Sequence, residues 1–279
     1  MTTDVRLEGL CFGEGPRWHQ GALWLSDMHA NRVLRVHPDG CETVCEVEHQ
    51  PSGLGWLPDG DLLVVSMTDR RLLRWDGRRL TTHAELWDVA SHHCNDMVVD
   101  QSGRAYVGNF GFDLHGGATP RPAELICVEP DGCARVVADD LAFPNGTVIT
   151  PDAKTLIVAE SGARCLTAFD IATNGDLANR RTFAEQPEGA VPDGICLDDA
   201  GGIWLASPSS NECLRQVAGG EVTHRVPLDQ SAFACMLGGE DGRTLHILTA
   251  ASSDPDLCRE KKSGRIEVWQ APYPHAGLP

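Results

Sequence analysis

Six short segments of the sequence share one pattern, in which a turn rich in Gly and Asp leads into a short apolar strand. The equivalent turn positions are Gly21, Gly60, Gly103, Ala153, Gly201 and Gly242, so the spacings between them are 39, 43, 50, 48 and 41 residues. In several units a second apolar strand follows, as in residues 32–36, 71–75 and 265–269. A hairpin that recurs with a period of 40–50 residues is the main constraint on the fold.

The strand pattern predicts an all-β protein. No stretch of 12 or more residues keeps apolar side chains at helical spacing, whereas short alternating strands bounded by Gly, Pro and Asp occur throughout. A period of this length with about four strands per unit is typical of β-propeller blades. The sequence therefore predicts a six-bladed β-propeller of four-stranded antiparallel blades that occupies residues 1–279 as a single domain. A β-sandwich or a pair of β domains is the alternative, but neither explains the period.

The ends of the chain predict how the ring closes. The last hairpin together with residues 265–269 supplies only three strands, while an apolar strand at residues 5–9 precedes the first repeat. Pairing of this N-terminal strand with the C-terminal blade would complete the blade and cover an exposed sheet edge.

Charge and cysteine content restrict the partners. The chain has 40 Asp and Glu against 23 Lys and Arg, a net charge of −17, which disfavours nucleic acid and anionic membranes as partners. The densest basic stretch, residues 259–262, is interrupted by Glu260 and is interpreted as a solvated loop. No apolar run approaches the roughly 20 residues of a membrane helix, and no signal peptide is recognisable. The eleven scattered Cys residues are interpreted as packed, reduced thiols. We expect a cytoplasmic monomer or homodimer.

Polar residues recur at one position of the repeat, about eight residues before each turn. This position begins the innermost strand of a blade and holds Glu14, Ser52, Asn95, Asn145, Asp193 and Ala234. In a propeller such residues point at one axis, so Glu14, Asn145 and Asp193 would converge, with Asn95 beside them. Two carboxylates and an amide need a cation there. Oxygen ligands suit a hard divalent ion. Pro-Asn-Gly and Pro-Asp-Gly are also ordinary turn tripeptides, but plain turns have no reason to share this register.

Four segments resemble the regucalcin (senescence marker protein)/gluconolactonase/luciferin-regenerating-enzyme-like family of six-bladed propellers. They are Gly-Glu-Gly-Pro at 13–16 with Trp18 following, Asn95-Asp96, Phe-Pro-Asn-Gly at 143–146 and Pro-Asp-Gly at 192–194. The resemblance implies that Glu14, Asn145 and Asp193 bind one divalent cation at the mouth of the channel. It leaves Ca²⁺, Mg²⁺, Mn²⁺ and Zn²⁺ open.

The same resemblance implies hydrolysis of a small lactone, either sugar-like or less polar, to its hydroxy acid. The cation would polarise the carbonyl and activate water, with Asp193 as the base. The resemblance places Asn95 near substrate or water and gives His93 and Asp113 the positions of sugar contacts. Asn109 follows the third hairpin strand with Phe110 and Phe112 and is expected to edge the pocket. The loop at residues 115–122 is interpreted either as a lid or as an ordinary surface loop.

Two other functions remain open. The metal needs only a polarisable oxygen, so hydrolysis or isomerisation of another electrophile, such as a phosphotriester or an enol lactone, is one alternative. A non-enzymatic calcium-binding regulator is the other, because propellers often serve as binding platforms. A serine nucleophile is disfavoured, because the chain contains no Gly-x-Ser-x-Gly elbow.

Overall fold

A computed structural model describes residues 3–37 and 40–279 and shows six four-stranded sheets with antiparallel pairing between neighbouring strands. The first strand in the chain is β1 (Asp4–Leu10), and the other strands follow blade by blade. Blade 1 contains β2 (Gly13–His19), β3 (Ala22–Asp27), β4 (Arg32–His37) and β5 (Gly40–Glu46), and blade 2 contains β6 (Pro51–Trp56), β7 (Leu62–Ser66), β8 (Arg71–Trp75) and β9 (Leu80–Glu85).

The remaining four blades follow, and the strands of each blade are given from the innermost to the outermost. Blade 3 contains β10 (Cys94–Val99), β11 (Ala105–Asn109), β12 (Ala123–Val128) and β13 (Ala134–Leu141), and blade 4 contains β14 (Pro144–Ile149), β15 (Thr155–Glu160), β16 (Cys165–Ile171) and β17 (Leu177–Glu185). Blade 5 contains β18 (Ile195–Leu197), β19 (Ile203–Ser207), β20 (Glu212–Gln216) and β21 (Val222–Pro227). Blade 6 contains β22 (Ser231–Gly238), β23 (Thr244–Ala250), β24 (Gly264–Gln270) and, at its outer edge, β1.

The predicted ring closure is confirmed. Strand β1 pairs antiparallel with β24 from Asp4 opposite Val268 to Leu10 opposite Gly264. The innermost strand of every blade contacts the innermost strands of both neighbouring blades, including β22 with β2, so the contacts form a closed circle. The predicted six-bladed propeller of four-stranded antiparallel blades is therefore the observed fold.

The hydrophobic core lies between neighbouring blades. Leu63 and Val65 of blade 2, for example, belong to one buried cluster with Met97 of blade 3. Inner strands such as β10 are buried along their whole length, because each is covered by a neighbouring blade on both faces. This explains their nearly continuous apolar sequence beyond the site residues.

The structure corrects one prediction about the C-terminal part of the chain. Residues 259–262 were expected to form a solvated loop, but Arg259 lies in a short helix, α1 (Pro255–Lys261). Asp254 caps this helix by accepting hydrogen bonds from the amides of Asp256 and Leu257 at 3.1 and 2.9 Å. The helix has seven residues, too few for an apolar period to appear in the sequence. A single 3₁₀ turn, Met28–Ala30, follows β3.

Among the described residues, no helix has the length and apolar character needed to cross a lipid bilayer.

Removal of residues 1–10 tests the closure. The deletion exposes the edge of β24 and removes Leu10, whose side chain is only 2% exposed, so we expect a melting temperature at least about 10 °C lower and aggregation through the open edge. Thermal unfolding and size-exclusion chromatography measure both effects. Val5→Lys is the matched control on the same strand, because Val5 is 51% exposed. A deletion variant that melts with the parent protein would contradict the role of β1.

Candidate functional site

A cavity of about 580 Å³ opens at one end of the central channel. Glu14, Asn95, Asn145 and Asp193, four of the residues expected at the site, line it together. Glu14, Asn95 and Asn145 are 9%, 6% and 7% exposed, and Asp193 is half-buried. The cavity therefore collects residues from blades 1, 3, 4 and 5 that lie far apart in the chain.

Backbone irregularities accompany these side chains at the axis. The register of the first strand pair shifts between Glu14 and Arg17 in blade 1 and between Cys94 and Met97 in blade 3. A matching shift between Pro144 and Thr147 occurs in blade 4. A bulge bends a strand locally and redirects its side chains. The polar residues at the strand starts consequently face the cavity while the residues after them pack between blades.

The glycine that follows several site residues has a steric cause. A Cβ atom on Gly146 would lie 2.5 Å from the backbone nitrogen of Ile195, and one on Gly15 would lie 2.5 Å from the carbonyl oxygen of Ser52. Neighbouring inner strands thus approach too closely here for any larger side chain. The Glu-Gly, Asn-Gly and Asp-Gly pairs of the sequence reflect this packing at the axis.

The structure corrects the residue assigned to the sixth blade. The amide of Gly146 donates to the carbonyl of Asp193, and in the next blade the amide of Gly194 donates to the carbonyl of Phe233. By this register Phe233 is the equivalent of Asp193, whereas Ala234 packs against Gly194. Phe233 also lines the cavity. The bulge between Ala232 and Ala234 adds a residue that counting from the turn could not reveal.

Glu14 and Asp193, with Asn145, form what we call the floor of the cavity. The two acids have no ion-pair partner among the residues that the structure describes. Glu14 accepts one hydrogen bond, from the amide of Gly15 at 3.2 Å. Burial and the nearby charge of Asp193 raise the pKa of Glu14 well above its ordinary value. Burial also raises the pKa of Asp193 to about 8, although hydrogen bonding to Asn145 opposes this shift. The pair of carboxylates lacks the positive charge that would stabilise its ionised form.

These residues fit a divalent cation. Glu14 and Asp193 offer carboxylate oxygens, and the Asn145 side chain offers an amide oxygen while its Nδ2 donates to Ser161 Oγ at 3.3 Å. Ser161 in turn donates to the carbonyl of Pro192 at 2.7 Å, which ties the loop that carries Asp193 to the same network. An all-oxygen donor set with two negative charges matches hard ions such as Ca²⁺, Mg²⁺ and Mn²⁺.

Asp96, next to Asn95, has a different role from the acids at the floor. Its Oδ1 accepts from Arg17 Nη2 at 2.6 Å, and both side chains are almost fully buried. The Arg17 guanidinium also donates to the carbonyls of Leu54 at 2.9 Å and Met97 at 2.6 Å. One buried cation thus joins the inner strands of blades 1, 2 and 3 below the cavity. Asp96 is a partner of this link and does not line the cavity.

Most of the cavity wall was not identified from the sequence, although Phe110, which was expected at the edge of the pocket, does line it. Met28, Met67 and Phe110 line it, and each directly follows the second strand of its blade. At the same position blades 4 and 5 have Ser161 and Pro208, which also line it. The repeat therefore marks two positions in each blade. The start of the innermost strand supplies the floor, and the residue after the second strand supplies much of the wall.

The remaining predicted substrate contacts lie behind or beside the cavity wall. Asn109 is 0% exposed, donates to the Glu124 carbonyl at 3.0 Å and accepts from the Gly111 amide at 2.9 Å, so its side chain supports the loop that starts at residue 110. His93 is partly buried, with its ring 6.1 Å from that of Phe110. The structure thus places both residues outside the cavity lining.

The loop after β11 contains the last predicted contact. Asp113 is exposed and accepts from the amide of Gly116 at 2.8 Å, so it shapes a turn of the loop at the rim. Within the segment predicted to be a lid or a surface loop, residues 115–122, His115 lines the cavity, as does the preceding Leu114. The loop therefore borders the opening.

Comparison with known proteins gives a consistent result. Residues 12–251 match the model of the SMP-30/Gluconolactonase/LRE-like region. Pentonolactonase XacC of Haloferax volcanii is 30% identical over 90% of this chain and 86% of its own length. Regucalcin of Gallus gallus is 27% identical over 95% of both chains. A solved structure of luciferin-regenerating enzyme superposes with a TM-score of 0.82 at 19% identity, covering 99% of this chain and 98% of the other.

Arg17→Met tests the buried link. The substitution leaves the Asp96 carboxylate buried without a counter-charge, so we expect a loss of about 3–5 kcal/mol in the free energy of unfolding. Adding Asp96→Asn should recover part of that loss, because the unpaired charge is then removed. Denaturant unfolding of the two single variants and the double variant measures the coupling. Additive losses would show that the two side chains do not act as a pair.

Metal binding should release protons. Because the pKa values of Glu14 and Asp193 are raised, the metal-free carboxyls hold protons that a cation must displace. Affinity for Ca²⁺, Mg²⁺ or Mn²⁺ is therefore expected to increase from pH 6 to about pH 8, where Asp193 ionises. Calorimetry in buffers of different ionisation enthalpy counts the protons, and Asp193→Asn should release fewer. An affinity that is constant over this range would contradict the expectation.

Proposed function

The chain belongs to the SMP-30/Gluconolactonase/LRE-like family, and from that premise we propose that it is a divalent-metal-dependent lactonase. Its product is the ring-opened hydroxy acid. The observation that carries the proposal is the set of two unpaired carboxylates and an amide, Glu14, Asp193 and Asn145, at the floor of a cavity. The relative that is 30% identical is a pentonolactonase, which supports lactones as the substrate class.

Glu14, Asn145 and Asp193 are the residues that would hold the cation. When bound, the ion acts as a Lewis acid that polarises the carbonyl of the lactone. Glu14 and Asn145 lie on inner strands, and Ser161 ties the loop that carries Asp193 to the same network through the Pro192 carbonyl. The hydrogen bond from Asn145 to Ser161 orients the amide so that its oxygen remains available.

Asp193 is the proposed base. It removes a proton from the attacking water as the water oxygen bonds to the carbonyl carbon. The bond between this carbon and the ring oxygen then breaks, and the proton ends on the released alkoxide, giving a hydroxyl group and a carboxylic acid. Burial raises the pKa of Asp193 to about 8 in the metal-free protein, and a bound cation would lower it, so that Asp193 is ionised at neutral pH and can accept the proton.

Asn95 is proposed to position the water or the substrate. Its Nδ2 donates to the carbonyl of Pro144 at 3.4 Å, which leaves the side-chain oxygen as an acceptor at the cavity surface. His93 and Asp113 are proposed to contact only a part of the substrate that extends to the rim, and Asn109 is proposed to support that rim through Glu124.

The proposed setting is the cytoplasm, with the whole chain, residues 1–279, acting as one catalytic unit. All eleven cysteines are free thiols, which fits a reducing compartment. The proposed assembly is a monomer or a homodimer.

Asp193→Asn tests the base. The amide retains an oxygen and the size of the side chain but accepts no proton at neutral pH, so kcat on a lactone should decrease at least about 10²-fold. A pH-indicator assay with added Ca²⁺, Mg²⁺ or Mn²⁺, and with a chelator, measures the activity and its dependence on metal.

Asp88→Asn is the matched control for the same chemical change, because Asp88 is exposed and does not line the cavity, and its effect on kcat should be small. Undiminished turnover by Asp193→Asn would contradict the proposal. Calcium binding without turnover of any lactone would instead favour a non-enzymatic regulator.

A further inference from the structure

Resting on the proposed lactonase function, we propose that the substrate is an uncharged lactone whose ring carries an alkyl or aryl group, and that a polyhydroxylated sugar lactone is a poor substrate. The proposal derives from the two halves of the cavity wall, which differ in chemistry. It also assigns a specificity-determining role to Phe143.

The first half of the wall is apolar and aromatic. The rings of Phe110 and Phe143 stack with centroids 4.6 Å apart, and those of Phe12 and Phe233 meet edge to face at 4.7 Å. Met28 and Met67 belong to the same cluster, and all six side chains line the cavity. Such a surface favours apolar groups and offers no partner to a hydroxyl.

The second half of the wall contains serines, and the hydroxyl groups of several of them already donate hydrogen bonds to other groups of the protein. Ser161 donates to the Pro192 carbonyl at 2.7 Å, Ser209 to the Gly189 carbonyl at 2.7 Å and Ser231 to the Asn211 side chain at 3.0 Å. These three groups lack a free proton to donate to a sugar hydroxyl. Their oxygens can still accept, but a sugar hydroxyl at these positions finds no donor and gains fewer hydrogen bonds than it makes in water.

Charge also limits the substrate. Among the described residues, no Lys or Arg lines the cavity. His29 lines the wall, but burial lowers its pKa to about 4, so its ring is neutral. A divalent cation held by the two acids would offset their charge, and no Lys or Arg of the described wall could pair with an anionic substituent, so that substituent would lose its hydration without gaining a partner. The substituent is therefore uncharged as well as apolar.

The ring of Phe143 lies in the cavity wall, although the backbone of this residue has an unfavourable conformation. Its φ is 59°, a left-handed conformation that bulky residues rarely adopt. Glycine at this position would avoid the strain, yet the chain places an aromatic side chain here directly before Pro144 and Asn145. The ring lies both in the main cavity and in a second, adjoining cavity. An aromatic residue kept in this conformation at the surface of the cavity supports a role for the ring in substrate binding.

Three lactones with the same six-membered ring test the proposal on the unmodified protein. These are δ-valerolactone, its butyl-substituted form δ-nonalactone, and glucono-δ-lactone, each corrected for spontaneous hydrolysis. Burial of a methylene is worth up to about fourfold in binding, so kcat/KM for δ-nonalactone should exceed that for δ-valerolactone at least about tenfold. Glucono-δ-lactone should be the poorest of the three.

Phe143→Gly removes the ring and relieves the backbone, and should reduce the preference for δ-nonalactone over δ-valerolactone about tenfold, mainly through KM. Phe112→Ala is the control, because Phe112 contacts Phe143 at a centroid distance of 5.9 Å but does not line the main cavity. It should leave the preference unchanged. A thermal melt shows whether each variant is folded.

The outcomes separate this inference from the proposed function. Two outcomes would overturn the inference and leave the lactonase function intact. One is a preference for glucono-δ-lactone, and the other is equal kcat/KM on all three substrates. Absence of metal-dependent turnover on every lactone would overturn both. The comparison on the unmodified protein decides the matter even if Phe143→Gly does not fold.

Discussion

The site depends on closure of the ring by β1 and β24. Six sheets can direct their inner strands at one axis only when each is held between two neighbours. The pairing of β1 with β24 completes blade 6, which lies between blade 5 and blade 1. Glu14 lies in the first blade and Asp193 in the fifth, with the closing blade between them. Glu14 and Asp193 therefore lie close together at the cavity floor because the ring is closed, and no single blade could bring them together.

Buried charge is used in two ways near the axis. Asp96 is neutralised by Arg17, whose guanidinium also bonds the backbones of neighbouring inner strands. Glu14 and Asp193 lie close by but have no such partner among the described residues, and burial raises their pKa values. An unpaired acid pair is costly to bury. Its presence beside a fully compensated pair supports the proposal that a bound cation supplies the missing charge.

One backbone position supplies much of the cavity wall. After the second strand, blades 1 to 3 place Met28, Met67 and Phe110, whereas blade 4 places Ser161 and blade 5 places Pro208. The three large apolar residues also belong to one buried cluster, so this position both packs neighbouring blades together and faces the cavity.

The amino-acid sequence by itself determined the six blades, the closing strand and the register of Glu14, Asn95, Asn145 and Asp193, because a period of turns and strands is a local property that repeats along the chain. It did not reveal the seven-residue helix α1, and it assigned Ala234 where the structure has Phe233. Only the tertiary structure decided that Asp96 is paired with Arg17, that Asn109 lies behind the wall and that Phe110 and Phe143 stack beside the floor. The physical reason is that bulges and contacts between blades set which way a side chain points, and both depend on residues far away in the sequence.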